Sequence, residues 1–157
     1  MLEKILVCLD GSAAAERILP YVGDELLRVH SKVVLLRIAA PPETLVALNM
    51  PGSPGVPVRT ESGIRRIETE EKEASDYLER MAKPLRAKGL NIENAVLLGE
   101  AGATIISYAQ ENKCTLIAMS THGHGGLRRL AMGSTADFVL HHSPVPVLIV
   151  TAETKAP

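Results

Sequence analysis

The chain has no tryptophan, one phenylalanine and three tyrosines in 157 residues, so its core must be built from Val, Ile, Leu, Ala and Met. Aliphatic filling of this kind suits a parallel sheet buried between layers of helices. The shortage of aromatics also removes the platforms on which single-stranded nucleic acids stack. Seventeen basic against eighteen acidic residues leave a formal charge of −1. With no clustered Lys/Arg face to meet a phosphate backbone, nucleic acid is not an expected partner. Cysteine is nearly absent: Cys8 and Cys114 are isolated, with no Cys-x-x-Cys pair, which argues against a disulfide or zinc framework. Both read as small buried apolar residues, and Cys8 carries the alternative of a reactive thiol. No apolar run is long enough for a membrane span or signal peptide, because Ile5-Leu6-Val7-Cys8-Leu9 is cut short by Asp10-Gly11-Ser12. A cytoplasmic protein without a membrane partner is expected.

What the chain does contain is an alternation of short apolar runs with helical patterns. Runs at 4–9, 33–38, 92–98, 115–119 and 147–150 read as buried strands. Between the first two, Ser12 caps a helix on which Ala15, Ile18, Leu19, Val22, Leu26 and Val29 recur at helical spacing. Pro20 falls inside this pattern and is expected to bend the helix or shift its start. A second helix carries Ile64, Ile67, Ala74, Leu78, Met81 and Leu85, with Pro84 kinking its end and Gly89 stopping it. Its acidic stretch 68–73 is a solvated face. Short helices follow at 102–110 and from Ser134, where Asp137 is expected to complete a capping box, to His141-His142. Strand and helix in alternation predict one α/β domain over 1–157, an open, doubly wound parallel sheet with helices on both faces. Five prolines and two glycines without periodicity predict a mobile loop at about 39–62. The short apolar strand 147–150 reads as an edge, and pairing with the same strand of a second copy predicts a homodimer.

The chemistry concentrates in Ser120-Thr121-His122-Gly123-His124-Gly125-Gly126 and, after 127–132, in Gly133-Ser134-Thr135. Glycines let backbone N–H groups approach an anion closely, and Gly123 and Gly126 supply that access in the first cluster. The second cluster opens a helix whose free N–H groups favour phosphate at the same place. Neither common nucleotide fingerprint fits. A P-loop needs lysine before the hydroxyl residue, and Met132-Gly133 precede Ser134; a Gly-x-Gly-x-x-Gly pattern from Gly123 fails at Arg128. Arg128-Arg129 adds positive charge nearby. In a doubly wound sheet the loops after strands one and four sit side by side at the switch point, which puts Asp10 in the same crevice. His122, His124, His141 and His142 form two distant pairs, weak ground for a metal site.

Taken in order, Ile5-Leu6-Val7-Cys8-Leu9-Asp10-Gly11-Ser12, Met119-Ser120-Thr121-His122-Gly123, Gly133-Ser134 and Ser143-Pro144-Val145-Pro146-Val147 resemble the universal stress protein family over essentially the whole chain. The resemblance implies strand order 3-2-1-4-5 and a homodimer joined through the last strand. Its nucleotide-binding branch carries Gly, two residues, Gly, nine residues, then Gly-Ser/Thr. Here Gly123 and Gly133-Ser134 occupy the later positions and Ser120 replaces the first glycine, setting a side chain where ribose or the first phosphate lies close. By position, the resemblance implies that Asp10 bonds ribose or contacts nucleotide-bound Mg²⁺ indirectly, and that Ile38 offers its backbone to adenine. Gly123 and Gly133 admit the phosphates, to which Ser134 and Thr135 donate. The implied function is an ATP-binding regulatory protein of the stress response, with Mg²⁺ as companion ion and ADP or AMP as alternative ligands. A slow ATPase or phosphotransferase, and a nucleotide-free dimeric interaction module, stay open beside it.

Overall fold

The computed structural model describes residues 2–25, 30–39, 61–121 and 133–151. Five strands form one parallel sheet: β1 (Lys4–Cys8), β2 (Lys32–Ala39), β3 (Asn91–Leu98), β4 (Leu116–Ser120) and β5 (Val147–Val150), in the order β3-β2-β1-β4-β5. The order reverses at β1, whose neighbours are β2 and β4.

The two faces of the sheet are separate cores. Alternation along β1 sends Ile5 and Val7 to one side, where Val33, Leu35, Ile18, Val22, Leu78 and Leu85 join them. Leu6 and Cys8 face the other side, with Val34, Leu36, Ile117, Met119, Ile105 and Val139. The first face is covered by α1 (Leu19–Glu25) and α2 (Glu61–Ala87), the second by α3 (Ala101–Glu111) and α4 (Ser134–His142). Central residues with no exposed surface on both sides are what a doubly covered parallel sheet demands.

Several boundaries differ from the sequence expectation for identifiable reasons. Ser12 does accept a hydrogen bond from the Ala15 N–H at 3.1 Å, but the first turn, Ala15–Ile18, is a 3₁₀ helix. The α-helix starts at Leu19, so Pro20 sits in its opening turn, where proline is tolerated. Pro84 lies inside α2, which continues to Ala87. Gly89, at φ +96°, then ends it, donating its N–H to the Arg86 carbonyl at 2.9 Å. Residues 61 and 62, expected in the loop, belong to α2; 40–60 lie outside the described residues. The capping box at Ser134 does not form. Gly133 (φ −56°, ψ 151°) takes the cap position without a side-chain bond, which makes Ser134 the first helical residue and leaves the Asp137 N–H on the Gly133 carbonyl at 3.0 Å. Thr115 is a peg rather than the first strand residue, its hydroxyl donating to the Lys4 carbonyl at 3.1 Å and accepting from Glu3 N–H at 3.1 Å. No helix of the described residues is long and apolar enough to cross a membrane.

Candidate functional site

A crevice of about 270 Å³ opens at the carboxyl ends of β1 and β4. Its floor is apolar: Cys8, Leu36 and Met119, each delivered by strand alternation to the α3–α4 side of the sheet. Ala101 and Ile105 of α3 and Ala136 of α4 form the walls, and the rim is polar. Of the sequence-predicted site residues, Asp10, Ile38, Ser120, Gly133, Ser134 and Thr135 all line this one crevice. Gly123 and Gly126 lie outside the described residues, as do His122, His124, Arg128 and Arg129.

Asp10 leaves β1 in a tight turn, accepting the Ser12 N–H on Oδ1 at 2.8 Å. Gly11 at φ +88° makes that turn available, since L side chains rarely adopt such a conformation. The carboxylate is exposed and carries the turn on one oxygen. Ile38 is half-buried near the end of β2, paired in register with Leu97. Thr121 is buried and tied to β5, donating its N–H to the Val150 carbonyl at 3.0 Å.

Ser120 lines the crevice, and strand alternation bears on where its side chain lies. It pairs with Val150 and follows Met119, so alternation assigns it to the face of Ala118 and Val150, away from the Met119 side. Its buried hydroxyl has no hydrogen-bond partner among the described residues.

Gly133 is informative for the opposite reason. Its dihedrals suit any residue, and an added Cβ would meet no described atom within 4 Å. Nothing in the described packing explains a glycine there. Behind it, the N–H groups of Ser134, Thr135 and Ala136 precede the first helical bond, and the cap supplies no side chain to satisfy them. Among the described residues, a cap without a side chain, room beside it and the first helical N–H groups make a place where an anion would fit.

Burial, chiefly, pushes the Cys8 thiol up to about 12, which works against the thiolate that a reactive thiol would need. Among the described residues no group of three or more His, Cys, Asp or Glu is placed to hold a metal ion. His141 and His142 instead donate Nδ1–H to the Asp137 and Phe138 carbonyls, each at 2.8 Å, and His142 stacks on Phe138 at 4.1 Å.

The α3 wall lies beyond what the sequence pattern discloses. The one signal for it is Gly102: a Cβ there would sit 2.6 Å from the Phe138 ring, so this glycine is what lets α3 and α4 approach and close the crevice. Glu100 caps α3, accepting N–H bonds from Gly102 at 3.3 Å and Ala103 at 3.0 Å.

The universal stress protein family model matches residues 1–151. Among curated relatives, a universal stress protein of Thermus aquaticus is 31% identical over 151 residues, 96% of this chain and 99% of the relative. Others are longer: the chain spans 42% of a Synechocystis sp. universal stress protein, to which it is 28% identical over 94% of its own length. Among solved structures, a hypothetical protein of Methanocaldococcus jannaschii superposes with a TM-score of 0.78 at 23% identity, covering 99% of both chains. An Arabidopsis thaliana family protein with AMP bound gives 0.65 at 13% identity, over 95% of this chain and 91% of that one. The Archaeoglobus fulgidus protein in complex with dAMP gives 0.60 at 20% identity, over 95% and 98%.

Proposed function

This chain belongs to the universal stress protein family, and from that premise we propose that its crevice binds an adenine nucleotide. The observation that carries the reading is Gly133: a glycine beside which an added Cβ would meet no described atom within 4 Å, at the head of a helix whose first N–H groups receive no side-chain cap. Such a position is expected where a ligand, rather than the protein, forbids a side chain. The rest of the crevice has the matching polarity. Cys8, Leu36, Ile38 and Met119 offer an apolar bed for a base, and Asp10 stands at the polar rim for ribose. Fold relatives with AMP and dAMP bound support the same ligand class.

The finer reading is ATP with Mg²⁺, with ADP or AMP as competitors. Ser134 and Thr135 would donate to phosphate oxygens, joined by Gly123 and Gly126 from the glycine loop, and the Asp10 oxygen outside the turn would meet a cation-bound water. Bound nucleotide would serve as a signal, its occupancy biasing the protein's interactions in a stress response. We also propose a homodimer through β5, whose outer edge has no partner strand among the described residues and which exposes Leu148. Equilibrium dialysis of ligand-stripped protein against labelled ATP, ADP and AMP, with and without Mg²⁺, tests the ligand. Saturable binding of one nucleotide per chain, strongest for ATP and strengthened by Mg²⁺, is expected; absence of binding to all three would overturn the reading.

A further inference from the structure

On β2, Ile38 faces the crevice and its neighbour Arg37 faces the opposite side of the sheet, where α2 packs. There the Arg37 guanidinium lies close to both Tyr77 and Gly11. Its central carbon is 5.0 Å from the centroid of the Tyr77 ring. It also lies beside Gly11, so closely that a Cβ at that position would come within 3.2 Å of it. The Tyr77 hydroxyl donates to Glu16 Oε1 at 3.1 Å, and Glu16 belongs to the 3₁₀ turn that follows Ser12. Burial first, and then the Glu16 carboxylate, raise the Tyr77 hydroxyl above its ordinary value, so it stays a donor.

We propose that Arg37 is a positioning residue for the nucleotide site: pinned on Tyr77, it holds the Asp10-Gly11-Ser12 turn from behind and ties its shape to α2. The turn is then fixed at three points. β1 delivers its start, the guanidinium supports its middle, and the Tyr77–Glu16 bond anchors the turn beyond its end. A planar guanidinium suits this place because it stacks on an aromatic face and packs flat against a backbone, whereas a lysine ammonium does neither as well. Gly11 is constrained twice, by its φ of +88° and by the guanidinium beside it. The Asp10 carboxylate would therefore reach ligand already oriented.

The inference rests on the nucleotide reading only for its functional half, and the experiment separates the two. Amide hydrogen exchange in ligand-free protein reports the turn directly, through the Ser12 N–H on Asp10 and the Ala15 N–H on Ser12; calorimetry with Mg·ATP reports the site. Arg37→Ala is expected to speed exchange at these two amides and weaken Mg·ATP binding, each by about tenfold, while β1 amides stay protected. Tyr77→Phe, which keeps the ring and loses the bond to Glu16, should give a smaller effect in the same direction, and Arg37→Lys should restore only part of the Ala loss. Local loss of Ser12 and Ala15 protection in a protein whose wild type binds no nucleotide would uphold the clamp and sink the nucleotide reading. Unchanged exchange at both amides, or an equal acceleration throughout the sheet, would overturn the clamp. Should Arg37→Ala not fold, Tyr77→Phe decides the matter by the same two readouts.

Discussion

Three residues on the crevice rim show how much a side chain's meaning depends on its neighbours. Among the described residues Gly133 has room for a Cβ and its dihedrals suit any residue, so on our proposal the ligand is what keeps it a glycine. Asp10, by contrast, is employed by its own turn and would be kept there by the Ser12 N–H with or without a nucleotide. Ser120 occupies the motif's first glycine position, and the sequence suggests a side chain projecting at the ligand. Strand alternation turns it the other way, a consequence of the pairing with Val150 that no local pattern discloses. Its buried hydroxyl lacks a partner among the described residues. Ser120→Ala should therefore raise unfolding stability, by about 1 kcal/mol in a urea titration, because an unsatisfied buried hydroxyl carries a desolvation cost. Nucleotide affinity should change by less than about threefold, since the removed group lies away from the Met119 face.

The strands and long helices are legible in the sequence because their apolar periods are strong. The 147–150 strand and the α2 stripe match the structure within a residue or a turn. The starts of helices are less legible. The 3₁₀ turn before Pro20 and the Gly133 cap before Ser134 both follow from where the backbone must leave a strand or loop, which propensity does not encode. Least legible is the wall made by α3, because its role depends on contact with α4. Gly102 makes that contact, and a Cβ would press on Phe138 at 2.6, 2.9 and 3.1 Å. Gly102→Ala should cost about 1–3 kcal/mol through overpacking, read as a lowered urea midpoint. It should also weaken nucleotide binding, since α3 can yield only by moving away from the crevice.

At the scale of the molecule, the alternation of strand and helix determines an α/β class, whereas the order β3-β2-β1-β4-β5 comes from the family resemblance and agrees with the structure. That order places the β1 and β4 loops side by side and leaves β5 at an edge. Leu148 is 42% exposed on β5. Leu148→Glu should convert the proposed dimer to monomer, with a halved mass in light scattering and no loss of secondary structure; a monomeric wild type would contradict the proposal. Burial of Cys8 sets a pH window. Its folded value of about 12 lies above the ordinary 9.0, so the proton is held more tightly in the folded chain. The associated stability is complete below pH 9.0 and is lost as the pH rises towards 12. Urea midpoints should fall across that range, and Cys8→Ala should make the fall shallower.

Whether the crevice headed by Gly133 is an adenine nucleotide site is tested most directly by calorimetric titration of ligand-stripped protein with Mg·ATP, beside Gly133→Val. Saturable binding by the wild type is expected, with at least about a thirtyfold loss in the variant, the effect of filling a cradle for close backbone approach. Unliganded Gly133→Val should stay folded and lose only a few degrees of melting temperature, the cost of Val at an N-cap, because no described atom lies within 4 Å of the added Cβ. Equal affinity in the two proteins, or no heat and no thermal stabilisation of the wild type by Mg·ATP, would refute the assignment.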